Sequence, residues 1–214
     1  MINKILVLGM MVQAISSGRH RVMPENPDGA QPEVLVRVFD VGAVSGLTMA
    51  QGEVVAKQIL ASAGVRVRWA ISAVPRRPEL QAAACENASA VETIDIRFAY
   101  SVPAEYKRGV LAEARPFAKC GVRITVFFDR VSRIFGLRLA PDAAILGHVL
   151  AHEMGHVLLK LENHSEAGLM KARWNDHDLA KMRSKKFTFT PDEIAMIQSN
   201  LARRASVTLV SRAF

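Results

Sequence analysis

The feature that most constrains this chain is the run His152-Glu153-Met154-Gly155-His156, which lies inside a long apolar segment. That segment, from Asp142 to Lys160, has the length and composition of a buried helix. Residues four apart lie on one face of a helix, so His152 and His156 can present their imidazoles to one ion. Glu153 lies one residue further round, close enough to reach a water on that ion. The pattern therefore predicts a helix that carries part of a zinc site.

A catalytic zinc site needs a third protein ligand and leaves a fourth position open. His164 is the leading candidate, because it follows the expected end of the helix and Asn163 before it tolerates the left-handed conformation that a turn back would need. Glu162 and Asp176 are weaker alternatives as the third ligand. His148, one helical turn before the motif, is expected to be a packed histidine, since a straight helix cannot bring three successive turns to one tetrahedral ion.

The expected chemistry is hydrolysis. Zinc lowers the pKa of a bound water toward neutrality, and a neighbouring carboxylate can then take the proton of that water. The motif therefore predicts one catalytic Zn2+ held by His152, His156 and His164, with Glu153 as the residue that activates the water. Two histidines on a helix surface without a metal are the alternative.

Elsewhere the sequence predicts an α/β protein in which strands dominate the first half and helices the second. A helix is expected from Leu47 to Ala63, with Thr48 as its N-cap and Gly64 as its stop. Alternating or Val-rich segments predict strands at Glu33–Asp40, Val65–Ile71, Thr93–Tyr100 and Val122–Arg130. After the motif, a short helix is predicted at Asn175–Arg183, and a last helix runs to about Arg204 from a capping box of Thr190 and Glu193.

The N-terminus has the form of a secretory signal peptide. Lys4 precedes an apolar stretch from Ile5 to Ile15, and small residues follow, which suits cleavage near Ser16 to Gly18. The stretch is far shorter than the ~20 apolar residues of a membrane-spanning helix, and a first buried strand is the alternative. We expect a signal peptide at 1–17, a flexible lead-in at 18–33, and a single catalytic domain at 34–214 that is secreted or periplasmic.

The two cysteines, Cys85 and Cys120, belong to no CxxC metal knuckle. In an exported protein an even pair suggests a disulfide. Two unpaired thiols are the alternative.

The net charge of +8 and the isoelectric point near 9.9 indicate a basic surface. The densest basic stretch, Lys181 to Lys186, lacks the interleaved aromatic residues of a strand-stacking nucleic-acid platform. No nucleic-acid partner is expected, and the basic charge is interpreted as a solvated surface.

The run from His152 to Trp174, HEMGHVLLKLENHSEAGLMKARW, resembles the metzincin clan of metallopeptidases, whose motif is HExxHxxGxxH followed by a Met-containing turn. Two more residues separate the second and third histidines here, and no Gly lies between them. The longer pattern is closer to a group of exported bacterial proteins with HExGHLLL and HSxxGIMRxxW. The segment Val126–Val131, VFFDRV, and the placement of the cysteines are also similar to that group.

This resemblance implies a metzincin-like fold: a twisted mixed sheet, a backing helix, an active-site helix and a C-terminal helical part. It also implies that Met170 supports the zinc site from below without binding the ion. The implied function is that of a zinc metalloendopeptidase. Its peptide or protein substrate is expected to lie along an edge strand at Val122–Asp129. The protein is expected to be a monomer. An exported zinc-binding protein without peptidase activity, or a zinc amidase or deacylase acting on cell-wall material, are the alternatives.

Overall fold

The computed structural model describes residues 32–39, 42, 44–71, 92–104, 106, 109–118, 121–134, 143–184 and 187–211. Five strands form one sheet in the order β2-β1-β3-β5-β4. All neighbouring pairs are parallel except β4 with β5, which is antiparallel. The predicted mixed α/β sheet is therefore confirmed. The strands are β1 (Glu33–Phe39), β2 (Arg66–Ile71), β3 (Glu92–Ala99), β4 (Ala112–Ala114) and β5 (Val122–Phe127).

Helix α1 (Gly46–Ser62) connects the parallel strands β1 and β2. A crossover is needed because the end of β1 and the start of β2 lie at opposite edges of the sheet. Its N-cap is Ser45, whose side-chain oxygen accepts a hydrogen bond from the backbone N–H of Thr48 at 3.1 Å. The predicted N-cap, Thr48, was therefore wrong by one turn. The predicted stop is confirmed, since Gly64 follows the helix with a φ of 75°.

The strand predicted at Val122–Arg130 ends at Phe127, and a short helix, α2 (Phe128–Ile134), takes over. Phe127 and Phe128 are consecutive and both buried. An extended strand would send these two side chains to opposite faces of the sheet, whereas a helical turn allows both to enter the core. The prediction that β5 is an edge strand is also wrong, because β5 is paired on one side with β3 and on the other with β4.

Helix α3 (Ala143–Leu159) carries the His/Glu motif, and it is buried from Ile145 to Leu159. It crosses α1 at a point where two glycines bring the backbones together. A Cβ at Gly147 would lie 2.5 Å from the Cβ of Val55 and 2.7 Å from the carbonyl oxygen of Gly52. The crossing therefore has no room for a side chain at this position.

We expect Gly147→Ala to lower the free energy of unfolding by about 1–3 kcal/mol, because the added methyl group must push two packed helices apart. The measurement is urea unfolding of the metal-free protein. Gly46→Ala is the matched control, since a Cβ there meets nothing within 4 Å, and it should stay within about 0.5 kcal/mol of wild type. Equal stability of the two variants would contradict the close crossing.

Two further helices follow, α4 (Asp176–Ser184) and α5 (Pro191–Ser211), which confirms the helical second half. The predicted capping box at the start of α5 is present. The backbone N–H of Thr190 donates to Glu193 Oε2 at 2.8 Å, and the N–H of Glu193 donates to Thr190 Oγ1 at 3.4 Å. The amide of Asn200 in α5 donates to the last two carbonyls of α3, at Leu158 and Leu159, both at 2.9 Å. Helix α5 thus satisfies carbonyls that the end of α3 leaves open.

All described residues belong to one compact unit that spans residues 31–214. The predicted signal peptide, the lead-in up to residue 31, Cys85 and Cys120 lie outside the described residues. Export and the disulfide therefore stay predictions. Within the described part of the chain, no helix is both long and apolar enough to span a membrane.

Candidate metal centre

Helix α3 places His152 and His156 on one face, as their spacing predicts. Their Nε2 atoms lie 3.2 Å apart, and both side chains are buried. The two ligand nitrogens of a tetrahedral zinc site with Zn–N bonds of 2.0–2.1 Å are about 3.3 Å apart. The separation found here therefore fits a shared zinc ion.

Each of these imidazoles is oriented by a backbone carbonyl. His152 Nδ1 lies 2.8 Å from the carbonyl oxygen of Leu169, and His156 Nδ1 lies 2.8 Å from that of Leu161. A carbonyl oxygen can only accept, so each Nδ1 carries the proton and each Nε2 presents a lone pair. Two lone pairs facing each other at 3.2 Å repel unless a cation lies between them. Such hydrogen bonds on the far nitrogen are also typical of metal-binding histidines.

His164 completes the cluster from the loop that follows α3. Its ring centre lies 5.3 Å from that of His152 and 4.8 Å from that of His156. One ring nitrogen from each of the three residues can be chosen so that all lie within 4.8 Å of one another. His164 is the exposed member, and the other two are buried. The donor set consists of three imidazoles open to solvent on one side, and it suits one zinc ion with a free fourth position.

The turn that brings His164 back differs from the one predicted. Lys160, directly after α3, has a φ of 58° and is the one non-glycine residue with positive φ in the described ranges. Leu161 N–H then donates to the carbonyl of His156 at 3.2 Å. The prediction that Asn163 provides the left-handed residue is therefore wrong. The turn comes three residues earlier, and the Nζ of Lys160 holds it by donating to the carbonyl of Pro116 at 3.1 Å.

Met170 lies against α3 at Gly155, inside the His/Glu motif. A Cβ at Gly155 would lie 2.6 Å from Met170 Sδ and 2.7 Å from the ring of Phe189. Glycine is therefore required here because the methionine occupies the space of a side chain. This position is compatible with the support predicted for Met170, which stays a prediction.

Trp174 flanks the same part of the site. Its ring stands perpendicular to that of His152, with centres 5.3 Å apart. Its Nε1 donates to the carbonyl of Leu169 at 3.3 Å, the same oxygen that accepts from His152. Trp174 thus helps to fix the carbonyl that orients a candidate ligand.

The pKa values of the three imidazoles favour the form that binds metal. Burial lowers the pKa of His152 to about 3, and hydrogen bonding to Leu169 only partly offsets this. Burial also lowers the pKa of His156 and of His164. All three rings are therefore neutral at pH 7, as zinc ligation requires.

Glu153 is buried and directly follows His152 in α3. The sequence identified neither Glu113, whose charge acts on Glu153, nor Tyr106, which contacts Glu113. Burial, and secondarily the charge of Glu113, raises the pKa of Glu153 to about 8. Glu113 lies on β4 and accepts a hydrogen bond from the hydroxyl of Tyr106. Segment Gly109–Pro116 gave no clear sequence signal, because a strand of three residues is too short for a periodic pattern. Tyr106 had no predicted position relative to the metal site.

The remaining candidates lie outside the cluster. His148 is buried, with Nδ1 2.6 Å from the carbonyl of Ala144 and Nε2 accepting from the N–H of Phe187 at 3.2 Å. Both of its nitrogens are thus occupied, as expected for a packed histidine. Glu162 and Asp176, the weaker alternatives for the third ligand, are not members of the group that His164 completes.

In the metal-free protein, His152 and Glu153 change stability with pH in opposite directions. The folded pKa of His152 is lowered from 6.5 to about 3, so the unfolded chain binds the proton first, and stability falls as pH drops below 6.5. The folded pKa of Glu153 is raised from 4.5 to about 8, so the folded chain binds the proton first, and stability falls as pH rises from 4.5 to 8.

We therefore expect metal-free Glu153→Gln protein to lose more stability than wild type when the pH is lowered from 6.5 to 4.5. The variant retains the unfavourable response of the histidines but lacks the group that offsets it. Urea unfolding in the presence of a chelator, at several pH values, measures the difference. Parallel curves for the two proteins would show that the carboxyl of Glu153 does not titrate with a raised pKa.

The chain is similar to a number of solved structures, among them the following two. The archaemetzincin from Methanopyrus kandleri is 19% identical, with a TM-score of 0.49, and the match covers 83% of this chain and 99% of that chain. A zinc-dependent peptidase from Methanocorpusculum labreanum is 16% identical, with a TM-score of 0.48 and coverage of 76% and 99%. No protein-family model and no curated protein matches the sequence.

Proposed function

We propose that this protein is a zinc-dependent metallopeptidase. The observation that carries the proposal is the pair of facing Nε2 atoms of His152 and His156, 3.2 Å apart and both without a proton. His164 supplies a third nitrogen, and Glu153, whose carboxyl is buried, directly follows His152 in α3. Three neutral nitrogens, an open side and one adjacent carboxyl are what a hydrolytic zinc site requires.

In this proposal the histidines and Glu153 have separate roles. The three imidazoles would hold the ion, and the backbone hydrogen bonds of His152 and His156 keep the nitrogens of those two rings aimed at it. When bound, zinc polarises a carbonyl, lowers the pKa of a water, and by its charge favours the ionised form of Glu153. The carboxylate of Glu153 takes the proton of the attacking water and then gives it to the leaving amine.

The substrate is proposed to pair with β4 (Ala112–Ala114). In the described part of the sheet β4 is an edge strand, and it carries Glu113, whose charge acts on Glu153. Extended peptides commonly add to such an edge through main-chain hydrogen bonds. Pairing here would place a peptide beside the metal site with its backbone held along the strand. We further propose that the enzyme is exported, as its N-terminal sequence predicts, and that it cleaves within peptides, as the metzincin resemblance implies.

The test is to incubate zinc-loaded protein with a peptide library and with acylated cell-wall fragments, and to identify products by mass spectrometry. Cleavage of internal peptide bonds, lost on chelation and restored by zinc, is the expected result. Release of acyl groups with no peptide cleavage would point instead to a zinc amidase or deacylase. No product from either substrate set, with zinc bound, would leave a zinc-binding protein without activity and overturn the proposal.

A further inference from the structure

His164 differs from the other two candidate ligands because no helix fixes it. It is exposed, and it lies in a loop between α3 and α4. The residue after it is firmly anchored. Ser165 N–H donates to the carbonyl of Met170 at 2.8 Å, and Ser165 pairs with Lys171 in an isolated bridge. The backbone next to His164 is thus tied to the turn that contains Met170.

Ser165 is also held through its side chain. Its hydroxyl donates to Oε1 of Glu193, a buried residue in the first turn of α5. The other carboxylate oxygen of Glu193 accepts from the N–H of Thr190 at 2.8 Å. One oxygen of Glu193 therefore caps α5, while the other reaches the loop of the third candidate ligand. A helix cap alone would need only one of these contacts.

The segment that precedes Glu193 gives it a fixed position relative to α3. Phe187 N–H donates to His148 on α3 at 3.2 Å, and the carbonyl of Thr188 accepts from Leu169 N–H at 3.0 Å. The ring of Phe189 lies against Gly155. Residues 187–193 therefore connect the helix of the first two ligands to the loop of the third.

We infer that Ser165 and Glu193 form a positioning pair that sets His164 relative to His152 and His156, and thereby sets the affinity for zinc. The inference rests on the proposed metal site but not on peptidase activity. Neither Ser165 nor Glu193 binds the ion. Their effect is to limit the positions that the loop can adopt, so that less conformational freedom is lost when the third nitrogen binds.

The first measurement is the zinc dissociation constant, obtained by competition with a chromophoric chelator. Ser165→Ala and Glu193→Ala should each weaken zinc binding by about 10- to 100-fold, the usual effect of removing a group that orients a ligand. The double variant should be little worse than either single one, because both remove the same contact. Ser165→Thr retains the hydroxyl and should restore most of the affinity.

Thr190→Val is the matched control. It removes the hydroxyl that caps Glu193 N–H but leaves the contact between Ser165 and Glu193 in place. It should lower stability while the zinc affinity stays within about twofold of wild type. The visible spectrum of the cobalt-substituted proteins is the second readout. Ser165→Ala should change the band pattern, and Thr190→Val should not.

Unchanged zinc affinity and cobalt spectrum in folded Ser165→Ala protein would overturn the inference. So would equal weakening by Thr190→Val and Glu193→Ala, because the effect would then come from the helix cap. Failure of wild-type protein to bind zinc would instead overturn the metal site itself, and with it the proposed function.

Discussion

Wild-type protein is expected to bind about one zinc per chain, and either His152→Ala or His156→Ala should abolish tight binding. Zinc binding at structural sites, which have four ligands, contributes about 10–16 kcal/mol in total. Each ligand therefore accounts for about 3 kcal/mol, or more than a hundredfold in Kd. His164→Ala should also weaken binding strongly, because a two-ligand site remains. Metal analysis after dialysis, followed by chelator competition, gives stoichiometry and affinity.

His148→Ala is the matched control for these variants. It removes an imidazole from the same helix, one turn away, whose two nitrogens are engaged with Ala144 and Phe187. It should keep its zinc, with a loss of stability and at most a small loss of affinity through the missing contact with Phe187. Retention of zinc by His164→Ala together with loss by His148→Ala would show that the ligand set is wrong.

The second large effect is expected at Glu153. Glu153→Gln preserves the size of the side chain and all three imidazoles, so zinc should remain bound with an affinity close to that of wild type. Hydrolysis should fall by about 10²- to 10⁴-fold, the usual contribution of a general base, because an amide cannot take the proton of the water. Initial rates on a peptide found by library screening, measured at saturating zinc, give this ratio.

Glu162→Gln is the control for charge near the site. Glu162 is exposed, its charge acts on His156, and it lies outside the histidine group. The peptidase activity of Glu162→Gln protein should stay within about twofold of wild type. A variant at Glu153 that binds zinc and still hydrolyses peptide at the wild-type rate would refute the assigned role of this residue.

The elements that the sequence predicted well are those encoded by local periodicity. The spacing of His152 and His156 requires only that the segment be helical, and its apolar character ensures this. The capping box at Thr190 and Glu193 is likewise a pattern within four residues. His164 could be proposed because few of the side chains that follow the helix are able to bind zinc. The structure brings it to the other two histidines.

What the sequence did not reveal depends on contacts between distant segments. Strand β4 exists because its backbone pairs with β5, and three residues give no pattern of their own. Glu113 and Tyr106 could not be placed for the same reason. The left-handed turn at Lys160 goes against residue preference and is held by Pro116, far away in the chain. The second contact of Glu193, to Ser165, adds to a capping role that was already complete.

The link between α5 and the loop of His164 also determines when the site can form during synthesis. Chains are made from the N-terminus, so His152 and His156 leave the ribosome before Glu193 and Asn200, which hold the loop and the end of α3. A growing chain that lacks these residues offers two imidazoles and an unfixed third. With Ser165 and Glu193 setting the zinc affinity as inferred above, tight binding is expected only after the last helix has docked, so that a completed domain rather than a nascent chain would take up the ion.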